Sequence, residues 1–91
     1  MAKKRTYPEN ILHDVNVEGA RIEDLDFGCL TMREEAVIRM TYIENKMTQK
    51  AIANEFEVTE LRLRQIISKA LRKLRKRVQK KLERQQQDKK Y

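Results

Sequence analysis

The sequence predicts an all-α fold, a small helical bundle with a helix-turn-helix and an extended basic C-terminal helix. Three observations carry that expectation. Glycine and proline together number only three in 91 residues, and 38% of the residues are charged, a composition that favours helix throughout. From Leu30 onward, apolar residues recur every three or four positions, the period of a helix with one face in a core. Threonines stand just before three of these periodic runs, at Thr31, Thr48 and Thr59, where a helix N-cap is favoured.

A chain of this length forms one small domain, with a modest core and no room for a large enclosed active site. It has no Trp, two Phe and three Tyr, so the core is built from Leu, Ile, Val, Met and Ala. No apolar run approaches the ~18 residues of a membrane span. No apolar stretch follows the basic start MAKKR, as a secretory signal requires. The single Cys29 precludes an internal disulfide and fits a reducing cytoplasm. The net charge is +7, and its placement matters more than its size. Residues 60–91 hold thirteen cations against three acids, whereas the first 59 residues are slightly acidic. A polyanion is the natural partner for such a C-terminal third.

Residues 1–9, a basic tip with Lys3, Lys4 and Arg5 followed by Tyr7-Pro8, read as a flexible start. Residues 10–29 are less regular. Ile11, Leu12, Val15 and Val17 mix helical and alternating spacing, and Ile22, Leu25 and Phe27 suggest a short amphipathic turn. His13 is the only histidine and has no second ligand at metal-binding spacing, so it reads as a surface or core-edge residue. Glu23, Asp24 and Asp26 read as a solvated acidic loop, opposite in charge to the C-terminal helix and able to fold back on it.

Thr31 with Glu34 three residues on forms a capping box, and Glu34 and Glu35 lie in the first turn, where the helix dipole favours acids. The spacing of Ala36, Val37, Met40 and Ile43, with Ile38 and Tyr42 beside them, predicts a helix over residues 32–44 with those positions inward. Thr48 caps the next helix, residues 49 to about 56, whose inner face is Ile52, Ala53 and Phe56. Glu57-Val58 is the turn, and Thr59 caps a second helix. With Gln49 as position one, Ala53 is five, Val58 is ten, Leu63 is fifteen and Ile66 is eighteen, the apolar pattern of a helix-turn-helix. Position nine, ordinarily glycine, is Glu57 and must adopt a turn conformation.

The second helix has two faces. Leu63, Ile66, Ile67, Ala70 and Leu74 form its inner side. At ~100° per residue, Leu61, Gln65, Ser68 and Arg72 point away from them, with Arg62 and Lys69 on one edge and Arg64 on the other. Hydrogen-bonding side chains near the start of such a helix reach base edges, and later cations hold phosphates. An outward Leu61 suits a thymine methyl, a partner protein, or plain exposure. Beyond Arg75, Leu71, Leu74, Val78 and Leu82 make a short heptad-like seam. It would let the extension pack on residues 10–29, project as a basic arm, or pair with a second copy as a homodimer, and the first two are favoured. Residues 85–91 read as a disordered tail. The chain thus divides into an N-terminal segment, 1–29, a helix-turn-helix domain, 30–75, and a basic helical extension with its tail, 76–91.

The run LTMREEAVIRM at 30–40, then T-x-x-x-I-A-x-x-F-x-V-T at 48–59, R-x-R-Q-I at 62–66 and KALRKLR at 69–75 resembles region 4 of bacterial sigma factors. That resemblance covers about half of the chain. It implies binding of promoter −35 DNA through the second helix and of the β flap of RNA polymerase. It carries DNA contact onto Glu60, Leu61, Arg62, Arg64 and Gln65, with phosphate anchoring by Lys69 and Arg72. Glu60 and Leu61 depart from the family, whose primary members have Arg then Glu there. The missing Glu removes an acceptor for a cytosine amino group and points to a different base preference. The resemblance also implies a stand-alone region 4-like regulator, since the chain is too short for the other sigma domains.

The expected function is therefore a sequence-specific DNA-binding transcription regulator acting at promoters with RNA polymerase. Its partners are double-stranded DNA and the polymerase β flap, and its place is the cytoplasm, on the nucleoid. The alternative is a protein-interaction module that occupies the flap or another sigma fragment, with DNA contact secondary. DNA-binding candidates are Glu60, Leu61, Arg62, Arg64, Gln65, Ser68, Lys69 and Arg72. An enzyme is not expected, and neither is a cofactor or metal. There is no glycine-rich phosphate loop, no histidine partner for Cys29 and no metal-ligand spacing.

Overall fold

The computed structural model describes residues 5–88, with side chains through Arg84. Lys3, Lys4 and the last three residues of the expected tail lie outside the described residues. Four α-helices run in the order α1 (Glu9–Val15), α2 (Met32–Ile38), α3 (Gln49–Glu55) and α4 (Glu60–Asp88). Two 3-10 turns, Ile22–Asp24 and Phe27–Cys29, join α1 to α2, and α2 continues as a π-helical turn, Arg39–Glu44.

The helix starts sit where the threonines are. Thr31 Oγ1 accepts from the Glu34 N–H at 3.1 Å, and Glu34 Oε1 accepts from the Thr31 N–H at 3.0 Å. This reciprocal capping box satisfies two of the donors that a helix start leaves unpaired. Thr48 Oγ1 accepts from the Ala51 N–H at 3.2 Å, and Thr59 Oγ1 from the Arg62 N–H at 3.1 Å. The segment expected as one helix over residues 32–44 is therefore present, but its second half is wound more loosely than the sequence suggested. In a π turn residues five apart stack, so Val37 and Tyr42 share the inward line and are buried. Ile43, expected inward, is displaced outward and is 43% exposed. The turn closes on Asn45, whose left-handed backbone (φ 49°) lets its N–H reach the Met40 carbonyl at 3.2 Å, a conformation that Asn tolerates better than most residues.

The core is aliphatic. Ile11 and Val15 of α1, Val37 and Ile38 of α2, Ile52 and Ala53 of α3, and Leu63, Ala70, Leu74 and Val78 of α4 are all buried, with Leu25 between them. The irregular N-terminal segment is thus part of the fold. α1 packs on α4, the Arg75 Nε donates to the Val15 carbonyl at 2.8 Å, and Lys81 pairs with Asp24 at 3.1 Å. Of the routes open to the extension, packing on residues 10–29 is the one observed. Leu74 and Val78 of the heptad-like seam are fully buried within the chain. The seam offered to a second copy is therefore occupied from inside. α4 runs on to Asp88, past the end expected near residue 84.

Candidate nucleic-acid interface

The turn between α3 and α4 sets the pose of the candidate face. Glu57 has φ 57°, the left-handed region that costs a non-glycine residue roughly 1–2 kcal/mol. Its geometry is a Schellman motif: the Val58 N–H reaches the Ala53 carbonyl at 2.9 Å and the Glu57 N–H reaches the Asn54 carbonyl at 3.1 Å. Val58, half-buried, packs against the core as the apolar residue that follows such a cap. Arg33 of α2 donates to the Phe56 carbonyl at 3.3 Å and ties the turn to the preceding helix. Glu57 therefore takes the conformation that glycine holds at position nine, kept there by two carbonyl caps and Val58.

With the turn held, α4 presents the two faces expected of it. Leu63, Ile66, Ile67, Ala70 and Leu74 are buried. Glu60, Leu61, Arg62, Arg64, Gln65, Ser68, Lys69 and Arg72 are all exposed. Six of them, from Leu61 to Arg72, border one continuous open surface. Arg62 lies at its edge, 3.4 Å from Gln65 Oε1. Leu61 is 61% exposed at the helix start, beside Glu60 in the first turn, where the dipole favours an acid. Among the described residues no acid lies within ion-pair distance of Arg62, Arg64, Lys69 or Arg72. The face carries uncompensated positive charge with an amide, a hydroxyl and a leucine near its start. Such a surface can hold phosphates and read base edges.

Not every cation of KALRKLR belongs to that face. Lys73 turns inward to Glu34 at 2.8 Å, and Arg75 to the Val15 carbonyl. Glu34 is buried. Burial pushes its carboxyl pKa up, but the Lys73 hydrogen bond, the Thr31 N–H, and the charges of Lys73 and Lys69 outweigh that and hold it below its ordinary value. Lys73 was missed as a structural residue. The available signal was its place beside Ala70 and Leu74, at the edge of the apolar stripe, where a lysine stem lies on the core and its ammonium reaches out.

His13 is exposed and lies 3.1 Å from Asp14. Asp14 also accepts from the Tyr42 hydroxyl at 2.6 Å, and burial, then that contact, push the Tyr42 phenol pKa far up. The described residues contain no group of three His, Cys, Asp or Glu side chains placed to hold a metal, and no helix long and apolar enough to cross a membrane. Cys29 is a half-buried free thiol beside the core.

No curated protein and no solved structure matches the chain. A family model does: sigma-70 region 4 matches residues 27–76, more than half of the chain. The match begins at Phe27 and ends at Lys76, close to the 30–75 span of the sequence motifs, and it encloses α3, the turn and the first part of α4, up to the last cation of KALRKLR and its neighbour. The capped helices, the turn and the exposed basic face are thus those of one known kind of DNA-binding, RNA polymerase-associated transcription domain, and the chain belongs to the sigma-70 region 4 family.

Proposed function

We propose that the chain is a sequence-specific DNA-binding regulator that acts at promoters with RNA polymerase as a self-contained region 4-like domain. One observation carries the reading. The outward face of α4, from Glu60 to Arg72, is exposed and cationic while the opposite face seals the core. In this reading Arg64 and Gln65 reach base edges, where Arg suits guanine and Gln suits adenine. Leu61 meets a thymine methyl, Ser68 completes the polar surface, and Glu60 replaces the family's arginine. Arg62, Lys69 and Arg72 hold phosphates. Self-containment is supported by Ile11, Val15 and Val78, which lie outside the matched span and are fully buried in the same core.

Band shifts on a duplex selected from random sequence test the reading. Arg64→Ala and Gln65→Ala should lower affinity for the selected site by roughly 5- to 150-fold, about 1–3 kcal/mol, and change binding to a scrambled duplex little. Lys69→Ala should weaken both duplexes alike. Binding indifferent to sequence in the parent chain removes the base-reading role.

A second reading has its own support. Phe27, Ile38 and Ile43 floor a small dimple on the surface of α2 and the π turn, edged by the Glu35–Arg39 ion pair, and Ile43 is partly exposed there. Such a surface fits a protein partner, with the polymerase β flap the expected one. Copurification with the isolated flap, lost in Ile43→Asp and kept in Gln65→Ala, would favour it; no binding to flap or core polymerase removes it. A homodimer through α4 lacks comparable support, because its seam is buried inside the chain.

A further inference from the structure

We propose that the C-terminal extension of α4 is a second DNA contact, in which Lys76 and Lys80 bind phosphates flanking the site read by residues 60–72. The proposal rests on the DNA-binding reading above and extends it from the last residue matched by the family, Lys76, to Lys80 beyond it.

The fold sorts the cations of this helix. Lys73 is taken by Glu34 at 2.8 Å, Arg75 by the Val15 carbonyl at 2.8 Å and Lys81 by Asp24 at 3.1 Å. Arg77, Lys80 and Arg84 line a groove that also holds Glu23, Asp24 and Asp26. At ~100° per residue Arg77 and Arg84 sit roughly 100–120° round the helix from Gln65, deeper on the groove side, whereas Lys80 sits only about 60° away, at the groove's edge toward the exposed face. Lys76 and Lys80 are exposed, and among the described residues no acid pairs with them. Their position on the helix is also specific. Arg62, Lys69 and Lys76 follow one another at seven-residue intervals, and a straight helix drifts only ~20° per heptad. Lys80 continues the row one turn later. The four therefore lie along one edge of the face that carries Gln65 and Ser68. Glu83 reverses the charge on that side and ends the row.

Length and rigidity decide what the row can touch. α4 is a single helix from Glu60 to Asp88. At ~1.5 Å per residue, Lys76 lies about 16 Å and Lys80 about 22 Å beyond Gln65. The major groove is about 12 Å wide, so a helix that crosses it from Gln65 carries both lysines past its edge, toward the phosphates flanking the site. Leu74 and Val78, fully buried, fix this part of the helix to the core. The lysines are thereby carried in register with the base-reading turns, and little ordering is required on binding. A flexible basic tail would lack that register.

Salt dependence measured by fluorescence anisotropy tests the proposal, with two duplexes that share the selected site. One carries flanks on both sides and the other is trimmed to the site. Each phosphate contact contributes about 0.9 to the slope of log K against log salt. The double variant Lys76→Gln/Lys80→Gln should therefore lower the slope by about 2 on the flanked duplex. It should keep the parental base preference and match the parent on the trimmed duplex. Glutamine retains helix propensity, and the single Lys80→Gln variant should show half the change. A parental slope in the double variant on the flanked duplex overturns the proposal, and so does an equal loss on both duplexes. If Gln65→Ala then still loses base preference, the base-reading role stands without the flanking contacts. If the parent binds neither duplex, both readings fall. Loss of polymerase binding with an unchanged DNA slope assigns the lysines to a protein and also overturns the proposal.

Discussion

Val78→Ala probes whether the extension is part of the domain. Val78 is fully buried, yet it lies beyond the last residue matched by the family. Two methyl groups leave water when this side chain is buried, worth about 1.6 kcal/mol at ~0.8 kcal/mol per carbon. A residual cavity of roughly 40 Å³ at ~24 cal/mol per Å³ adds about 1 kcal/mol. The expected loss is therefore about 2.5 kcal/mol, and a domain of this size shifts its Tm by roughly 4–8 °C per kcal/mol. Thermal unfolding followed by circular dichroism should show Tm lower by roughly 10–20 °C. Leu61→Ala, on the exposed face of the same helix, should change stability by no more than about 0.5 kcal/mol. A Val78→Ala variant with the parental Tm would mean that the extension does not share the core, and the rigid placement of Lys76 and Lys80 would fail with it.

Three further outcomes follow from the geometry. Glu57→Gly should raise stability by roughly 0.5–1 kcal/mol in urea unfolding, because relief of the left-handed backbone at Glu57 exceeds the extra chain entropy of glycine. Thr59→Ala should cost about 1 kcal/mol in the same assay through loss of its cap to the Arg62 N–H. Stability should also fall in acid. Glu34 and Asp24 both have lowered pKa values, for Asp24 chiefly through the Arg21 N–H and then Lys81. A lowered carboxylate contributes stability above its unfolded pKa and loses it as pH falls through the folded one. The loss should therefore begin near the ordinary carboxylate range, about pH 4, and continue below it. Glu34→Gln, followed by thermal unfolding across that range, should flatten the acid limb.

The legible parts of the fold were those written in local chemistry. Thr31, Thr48 and Thr59 mark three helix starts, and the side chain of each makes its cap. The ~100° period sorted α4 into two faces, and Leu61, Arg62, Arg64, Gln65, Ser68, Lys69 and Arg72 are exposed as that period expects. The parts that were not legible depend on distant partners or on backbone choices that side-chain spacing does not encode. Nothing in RMTYIE announces a π turn, so Ile43 was expected inside. α1 and the 3-10 turns are too short to show a clean period. Their order comes from α4, through Arg75 on Val15 and Lys81 on Asp24. The paired fates of Lys69 and Lys73, one outward and one bound to Glu34, required knowing where α2 lies.

The most direct test of the central claim, that the exposed face of α4 reads DNA sequence, is selection of random duplexes by the purified chain, repeated with Arg64→Ala/Gln65→Ala. The parent should enrich a defined motif, and the double variant should lose that enrichment while still retaining DNA through Lys69 and Arg72. An unenriched library, or the same motif enriched by the variant, would contradict it.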